Sequence, residues 1–331
     1  MSIKILLVDM DSKIPNLALM KISSYHKSIG DNVEIRCLNY DYYPHKKNCV
    51  IYTDEYSIVY VSTIFKNNVN RVKLFGSAQV FFGGVGQSLV TNLPPKMEFQ
   101  QLDYSIYPDN NISYGFLTRG CIRNCYFCVV PQKEGLIHQV ATVKDIVKHK
   151  KVRFLDNNIL AFYDHKKILQ ELIDKKIKCS FNEGLDIRLL NDENAALLSK
   201  LNYYPSNYIF AFDNLKDEQL ITLKLELFKK YVSKDWKVKM FLYCHPDMDI
   251  KQDVIYRIEW CKNNKVLPYL MRDQSCWEDN NSKFYIDLAA WCNQPGLFKK
   301  LTFQEFIIKR TNNKERQNKS IMLYEIGEVQ D

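Results

Sequence analysis

The sequence contains no uninterrupted apolar run of the roughly 20 residues that a membrane-spanning helix needs. Its 331 residues are 46% hydrophobic and 25% charged, a composition typical of globular proteins. The apolar residues 3–8 are too few for a signal-peptide core and lead directly into Asp9, so they predict a buried strand. We therefore expect a cytoplasmic protein without membrane association, whose ten cysteines are thiols or metal ligands rather than disulfides.

The first strand is not followed by a glycine-rich phosphate loop, because Asp9, Met10 and Asp11 stand where a dinucleotide fingerprint needs its first glycine. Apolar runs predict strands at 3–8, 33–38, 57–62 and 80–82, and a helix at 16–29. The glycines at 83, 84 and 86 are typical of a tight turn that leaves the last strand. This βα alternation predicts an α/β protein whose residues 1–107 form a Rossmann-like domain with an open parallel sheet.

The alternation of strands and helices becomes more regular after residue 112. Strands are predicted at 113–118, 152–155, 178–182, 208–212, 237–243 and 266–271. Helices are predicted at 143–148, 164–175, 191–201, 217–231 and 249–261, with Thr142, Asp164 and Asn191 as N-caps. Six successive βα units predict a partial (βα)6 TIM-type barrel over residues 108–285, with its chemistry at the carboxyl ends of the strands.

A C-terminal extension, residues 286–331, carries apolar residues at helical spacing, which predicts helices that pack on the barrel. The polar run at 309–319 is interpreted as a solvated connector, with nucleic-acid contact as the alternative. The formal net charge of +8 favours a polyanionic partner, although lysines and acids are interleaved along the chain.

Three cysteines, Cys121, Cys125 and Cys128, lie within eight residues and have no fourth cysteine nearby. A structural zinc site needs four ligands, usually in two pairs, and a ferredoxin-type cluster needs four thiolates. A thioredoxin-like motif would leave Cys121 unexplained. Three cysteines at this spacing can instead hold three corners of a 4Fe-4S cluster and leave the fourth iron without a protein ligand.

An iron without a protein ligand can be chelated by the amino and carboxylate groups of S-adenosylmethionine, which an electron from the cluster can then split to a 5′-deoxyadenosyl radical. Phe127 offers a flat apolar surface to adenine, and Gly120 gives the loop freedom to wrap the cluster. Arg119 and Arg123 can offset the negative charge of three thiolates.

The motif Cys121-x-x-x-Cys125-x-Phe127-Cys128, preceded by Thr118-Arg119-Gly120 and followed by Pro131, resembles the radical S-adenosylmethionine superfamily. The resemblance is strongest to the branch with an N-terminal cobalamin-binding-like domain and to the methylthiotransferases, and it covers most of the chain. Residues 181–190 and 255–260 are similar to an uncharacterised subgroup of that superfamily. The resemblance implies a 4Fe-4S cluster on the three cysteines and S-adenosylmethionine as the second cofactor.

The same resemblance implies that loops at the carboxyl ends of the barrel strands bind S-adenosylmethionine. After the second strand, where the family commonly has a Gly-Gly-Glu-like segment, this chain carries Asp156, Asn157 and Asn158. After the third strand come Glu183, Asp186 and Arg188, which are suited either to the ribose and carboxylate of the cofactor or to a structural ion-pair network.

Later strand ends add Asp213 and residues 243–246. For the thiols of Cys244 and Cys276 we prefer the interpretation that they have no functional role; the alternative is that they donate a hydrogen atom or bind a second cluster.

Cobalamin is not the favoured cofactor, because neither His26 nor His45 lies in the Asp-x-His-x-x-Gly pattern that supplies its lower ligand, and we expect a degenerate domain. The methylthiotransferase assignment lacks a second cysteine set. We therefore expect a radical S-adenosylmethionine enzyme that takes electrons from flavodoxin or ferredoxin and modifies a nucleic acid, a peptide or a small metabolite. The alternative is a non-catalytic iron-sulfur or zinc protein that binds nucleic acid and closes its metal site with a remote fourth ligand.

Overall fold

The structure is a computed structural model that describes residues 2–40, 48–205 and 207–327. The chain divides into two compact units, Met1–Val152 and Arg153–Asp331. The chain is mixed α/β with parallel sheets, as the sequence predicts. The finer boundaries predicted after residues 107 and 285 stay predictions. None of the helices in the described ranges is long and apolar enough to cross a bilayer.

Four parallel strands form the main sheet of the first unit, in the order β2-β1-β4-β6. The strands of this unit are β1 (Lys4–Asp9), β2 (Asn32–Cys37), β3 (Cys49–Tyr52), β4 (Ile58–Ser62), β5 (Val72–Phe75), β6 (Gln79–Gly83), β7 (Ser113–Gly115), β8 (Thr118–Arg119) and β9 (His138–Gln139). Its helices are α1 (Leu17–Ser28), α2 (Pro95–Glu98), α3 (Val130–Lys133) and α4 (Val143–Ile146). The four strands and one helix that the sequence predicts in residues 1–107 are present, whereas β3 and β5 were not predicted.

The central strand β1 is buried on both faces, which explains its uninterrupted apolar sequence. Leu6 and Val8 pack in one core with residues of β3 and β5. Ile5 and Leu7 pack in a second core with residues of α1. The sheet is therefore covered by a helix on one face and by a second two-stranded parallel sheet on the other.

A polar network replaces the glycine-rich loop after β1. The buried carboxylate of Asp11 accepts hydrogen bonds from the backbone N–H groups of Ile64 (2.8 Å) and Phe65 (3.0 Å) and from the side chain of Asn68 (2.9 Å). Backbone amides at the carboxyl end of a parallel sheet commonly bind anions. Here the carboxylate of Asp11 occupies that position. At the glycine turn, Gly84 has φ +93°, and a Cβ there would lie 2.3 Å from the carbonyl oxygen of Thr63. The turn is therefore a close approach of two backbones.

One ion pair ties α1 to the segment that follows α2. Asp103 accepts hydrogen bonds from the side chains of Lys27 (2.7 Å) and Ser23 (2.6 Å), and from the hydroxyl and backbone N–H of Ser105. Burial opposes ionisation of this carboxyl, but these hydrogen bonds outweigh burial and lower its pKa to about 2.

The second unit contains two groups of parallel strands. Its strands are β10 (Lys151–Phe154, which begins two residues before the unit), β11 (Lys178–Phe181), β12 (Asn202–Tyr203), β13 (Tyr208–Ala211), β14 (Val238–Cys244) and β15 (Leu267–Arg272). Its helices are α5 (His165–Asp174), α6 (Asp192–Lys200), α7 (Glu218–Lys229), α8 (Tyr256–Asn263, preceded by a π-helical turn at Ile250–Ile255), α9 (Ser282–Cys292), α10 (Pro295–Lys300), α11 (Phe303–Arg310) and α12 (Lys314–Ile326). The strands lie in the orders β12-β11-β10 and β13-β14-β15, and a bridge between Leu185 and Phe210 connects the two groups.

The β13-β14-β15 sheet is covered on one face and more open on the other. Phe210, Met240 and Leu242 are fully buried, and α8 and α9 pack against this sheet. Alternate residues, such as Ile209 and Phe241, stay partly exposed. The strand ends of the open face therefore remain available for a site.

All three residues predicted at N-cap positions are N-cap residues of their helices. Asn191 accepts the backbone N–H of Asn194 at 2.9 Å, and Thr142 forms a capping box with Asp145. Asp164 is the N-cap residue of α5 but makes no side-chain capping bond, and its carboxylate pairs with Lys167 at 2.8 Å.

The polar run at 309–319 is not a solvated connector, because it contains the end of α11 and the start of α12. Arg310 and Arg316, both in this run, donate to the carboxylate of Asp287 on α9 at 2.6–2.9 Å. Asp287 is fully buried, and these bonds fix the three helices to one another.

Candidate functional site

The three cysteines lie in one closed loop of the first unit. Strands β8 and β9 pair antiparallel at its base and bring residues 120–137 into a single excursion. Inside the base, Arg119 donates from Nη1 to both carboxylate oxygens of Glu134, at 2.8 and 3.0 Å. The backbone N–H of Cys121 donates to the carbonyl oxygen of Gly135 at 3.1 Å. The first cysteine is therefore held against the returning chain.

Gly120 makes this closure possible. Its φ is +86°, a conformation that L side chains rarely adopt, and a Cβ would lie 2.4 Å from the carbonyl oxygen of Leu136. Any other residue would push the two sides of the loop apart just before Cys121. The sequence suggests that Gly120 gives the loop conformational freedom. In the structure, a glycine fits here because two backbone segments approach each other closely.

The cysteines themselves are half-buried, and none of the ten cysteines of the chain forms a disulfide. The backbone N–H of Cys128 donates to the carbonyl oxygen of Cys125 at 3.0 Å, and that of Arg123 donates to Sγ of Cys121 at 3.3 Å. Phe127 lies edge-on to the exposed ring of Tyr126, with the two centroids 5.3 Å apart. In the described ranges no group of three His, Cys, Asp or Glu side chains lies close enough together to hold a metal ion. The three thiols of the loop are therefore not clustered around one point.

The donor set nevertheless fits a 4Fe-4S cluster. Iron–sulfur clusters take cysteine thiolates, and backbone N–H groups directed at the sulfurs tune them. The loop provides three such thiols, and the N–H of Arg123 is directed at the sulfur of Cys121. Gathering of the ligands on metal binding is common, because the free energy of binding orders the site.

In the second unit, the loop after β10 carries the first predicted cofactor residues. Asp156 and Asn158 are buried, with 1% and 3% of their surface exposed, and Asn157 is half-buried. The carbonyl oxygen of Asn158 accepts the N–H of Ala161, which begins a short 3-10 turn. The loop is therefore a folded corner of the unit that keeps three polar side chains at the end of a buried strand.

Glu183 lies in the loop after β11 and makes no hydrogen bond or ion pair with any residue that the structure describes. Its side chain is accessible to solvent, yet burial by surrounding protein raises its pKa. Both observations agree with a carboxyl group that lines a cleft. Gly184, with φ +92°, then turns the chain so that Leu185 donates to the carbonyl oxygen of Ile209 on β13 at 2.7 Å.

Asp186 and Arg188 are paired with each other. Arg188 donates from Nε and Nη2 to the two carboxylate oxygens of Asp186, at 2.7 and 3.2 Å, and from Nη1 to Asp217 at 2.5 Å. Burial would lower the pKa of Arg188, but the two acids raise it further above its usual range. The sequence left two roles open for these residues, cofactor binding and a structural ion-pair network. The contacts described here are those of an ion-pair network. Binding of the cofactor by these two residues stays a prediction.

Asp213, at the end of β13, belongs to the same polar region. Its carboxylate accepts the backbone N–H of Tyr243 at 2.8 Å, and burial raises its pKa against the attraction of Arg257 and Arg188. Asp213 therefore joins two strand ends and lies within electrostatic range of the Asp186–Arg188 pair.

Arg257 is a residue of this region that sequence reasoning missed. It is fully buried, and its guanidinium donates to the carbonyl oxygens of Phe212 (3.0 Å) and Tyr243 (2.9 Å) and to the carboxylate of Asp253 (2.6 Å). The two carbonyls belong to the residues that precede Asp213 and Cys244. One buried cation thus fixes the carboxyl ends of β13 and β14. The signal in the sequence was an arginine within the largely apolar stretch at 254–261.

Cys244 and Cys276 are buried together beyond β14. Sγ of Cys276 donates to the carbonyl oxygen of Cys244 at 3.5 Å, and interaction with Cys276 and burial raise the pKa of Cys244. The contacts are those of a structural thiol pair. Beside them, the hydroxyl of Tyr243 donates to Asp273 at 2.9 Å.

In the first unit, His26 is held by structural hydrogen bonds. Its Nδ1 lies 2.8 Å from Asp31 and its Nε2 lies 3.1 Å from the hydroxyl of Tyr60, both within the core around α1. His45 lies outside the described residues. Nothing in these contacts favours a lower ligand for cobalamin.

A scan of the chain against protein-family models found no match, and a search of curated proteins found no significant relative. The functional conclusion therefore depends on the residues and their geometry.

Proposed function

We propose that this chain is a radical S-adenosylmethionine enzyme, with a 4Fe-4S cluster on Cys121, Cys125 and Cys128. The observation that carries the proposal is the closed loop that holds all three cysteines. The loop is pinned at its base by β8 and β9, by the Arg119–Glu134 pair and by the close approach at Gly120. A thiol set on one pinned loop is what a cluster with three protein ligands requires.

The arrangement of the strands supports the finer fold within this proposal. The strands β10, β11, β13, β14 and β15 fall where a (βα)6 barrel predicts them, and in the β13-β14-β15 sheet the more open face lies opposite the face that α8 and α9 cover. We interpret residues 108–285 as a partial TIM-type barrel and residues 1–107 as a Rossmann-like domain. In such barrels the loops at the carboxyl ends of the strands carry the site.

When bound, the cluster would supply the electron that splits S-adenosylmethionine into methionine and a 5′-deoxyadenosyl radical, which abstracts a hydrogen atom from the substrate. The chain's own residues would hold and orient the cofactor. Asp156, Asn157 and Asn158 offer carboxylate and amide groups to its amino acid part, and Glu183 offers a carboxyl with no partner among the described residues. Phe127 offers an apolar ring to adenine.

The test is reconstitution with iron and sulfide without oxygen, followed by reduction in the presence of S-adenosylmethionine and measurement of 5′-deoxyadenosine. We expect the wild type to form it and Cys125→Ala to form none, while Cys179→Ala, a buried cysteine of the second unit, behaves as the wild type. Cleavage that survives Cys125→Ala would contradict the proposal. A cluster whose spectrum does not respond to S-adenosylmethionine would favour the non-catalytic alternative.

The basic charge of the chain supports a polyanionic substrate, of which nucleic acid is one candidate. If the substrate is a nucleic acid, its binding should weaken steeply as salt rises, because counterions are released on binding. A one-electron donor such as flavodoxin or ferredoxin would supply the reducing electron.

A further inference from the structure

The open face of the β13-β14-β15 sheet carries groups that the proposed cofactor chemistry does not use. The register places Ile209 beside Lys239, and Phe241 beside Tyr269, so their side chains share one face. The rings of Phe241 and Tyr269 are 5.4 Å apart, and Lys239 Nζ lies 5.6 Å from the centre of the Tyr269 ring. These contacts form an aromatic floor with one cation beside it.

Lys239 has no acidic partner on this floor. It makes no hydrogen bond or ion pair with any residue that the structure describes, and burial lowers the pKa of its amine. A desolvated ammonium without a counterion is costly, and an anion bound beside it would lower that cost. Lys239 is therefore a charge that the described fold does not compensate.

A second polar group of the floor, the Tyr269 hydroxyl, has no partner among the described residues. That hydroxyl makes no hydrogen bond with any residue that the structure describes, and 39% of Tyr269 is exposed. The backbone at Gly184 lies against one edge of the floor, since an added Cβ there would contact the ring of Phe241 at 3.4 Å. A phenol and an ammonium thus border the two aromatic rings.

We propose that this open face is the substrate site, and that it takes a molecule in which a phosphate or carboxylate adjoins a planar or apolar part. The anion pairs with Lys239 and accepts from the Tyr269 hydroxyl, and the planar part lies on Phe241 and Tyr269. In calling the bound molecule the substrate, this inference rests on the proposed function.

The experiment measures acetylation of Lys239 in the full-length protein by a limiting amount of an amine-reactive acetyl ester, followed by peptide mass spectrometry. The probes are benzoate, phenyl phosphate and the neutral benzamide, each at millimolar concentration. Lys234, an exposed lysine in the preceding loop, is the internal reference in the same digest. No cluster and no S-adenosylmethionine are needed, so this test can fail while the proposed function stands, and the reverse also holds.

We expect benzoate or phenyl phosphate to slow acetylation of Lys239 about twofold or more relative to Lys234, as binding near the dissociation constant requires. Benzamide should leave the ratio unchanged. Protection by phenyl phosphate alone assigns a phosphate, and protection by benzoate alone assigns a carboxylate. In Tyr269→Leu the protection should disappear. If neither anion protects Lys239, or if benzamide protects it equally, the assignment is wrong.

Discussion

The buried arginine that joins two strand ends gives the sharpest test of how the second unit is built. Replacing Arg257 by Met keeps much of the side chain's volume and removes the guanidinium. The carbonyl oxygens of Phe212 and Tyr243 then lose their donor inside the protein, and Asp253 loses its cation. The ends of β13 and β14 then lose the cation that ties them to α8 and keep the hydrogen bond from the Tyr243 N–H to Asp213.

The magnitude follows from these contacts. Each buried carbonyl without a donor costs about 1–3 kcal/mol. The side chain of Asp253 retains 23% exposure, so water can compensate part of its loss. We therefore expect Arg257→Met to lower the free energy of unfolding by about 3–5 kcal/mol, the range known for breaking a buried ion pair. At about 2 kcal/mol per molar urea, the midpoint should fall by about 2 M.

Tryptophan fluorescence during urea unfolding is a suitable assay, because all four tryptophans, Trp236, Trp260, Trp277 and Trp291, lie in the second unit. Arg257→Lys should fall between the wild type and the Met variant, since a single ammonium cannot donate to three acceptors in this geometry. A loss below about 1 kcal/mol for Arg257→Met would refute the reasoning.

Three further predictions concern other parts of the chain. Asp287→Asn should lower the free energy of unfolding of the second unit, measured by urea denaturation, by about 3 kcal/mol, because the fully buried carboxylate binds two arginines. Gly120→Ala should reduce the iron bound after reconstitution by at least about half, because its Cβ would clash with a backbone carbonyl. Gly135→Ala, at φ +71°, carries similar backbone strain but has nothing within 4 Å of its Cβ, so it should keep more iron than Gly120→Ala. Asp103→Asn should reduce the hydrogen-exchange protection of Leu17–Ser28 by about 1 kcal/mol near neutral pH, and this difference should shrink progressively as the pH falls from about 5 to about 1, since the folded pKa is about 2.

Each of these predictions has a result that would contradict it. Equal midpoints for the wild type and Asp287→Asn would show that the two arginines are solvated rather than anchored. Equal iron content in both glycine variants would show that the close approach at Gly120 is not needed for metal binding. For Asp103, the sign is fixed: a depressed pKa stabilises the fold above the usual carboxyl pKa and loses that effect on acidification. A difference that grows on acidification would therefore contradict it.

Most helices and strands could be predicted because their signals are local. The apolar residues of β1 and the caps at Thr142 and Asn191 depend on neighbours in the sequence. The strands β3 and β5 were missed because each is four residues long and gains its stability from the core beneath β1. The polar run after residue 308 was misread because its arginines are bound by Asp287, more than twenty residues away in sequence.

The candidate site divides in the same way. The spacing of Cys121, Cys125 and Cys128 is visible in the sequence, and so is the glycine before them. The pairing of Arg188 with Asp186 and Asp217 is not, because an arginine beside acids is equally suited to a ligand and to an ion pair until distances are known. The role of Arg257 needed the tertiary structure altogether, since its acceptors are carbonyl oxygens, which every residue has.

By itself, the sequence determined which residues have the chemistry to bind a metal and where parallel strands alternate with helices. Those properties depend on residue type and on spacing along the chain. Only the tertiary structure decided which charges neutralise each other and which, such as Lys239 and Glu183, have no partner in the described part of the chain. The reason is physical: ion pairing and desolvation depend on distances of a few ångströms between residues far apart in sequence.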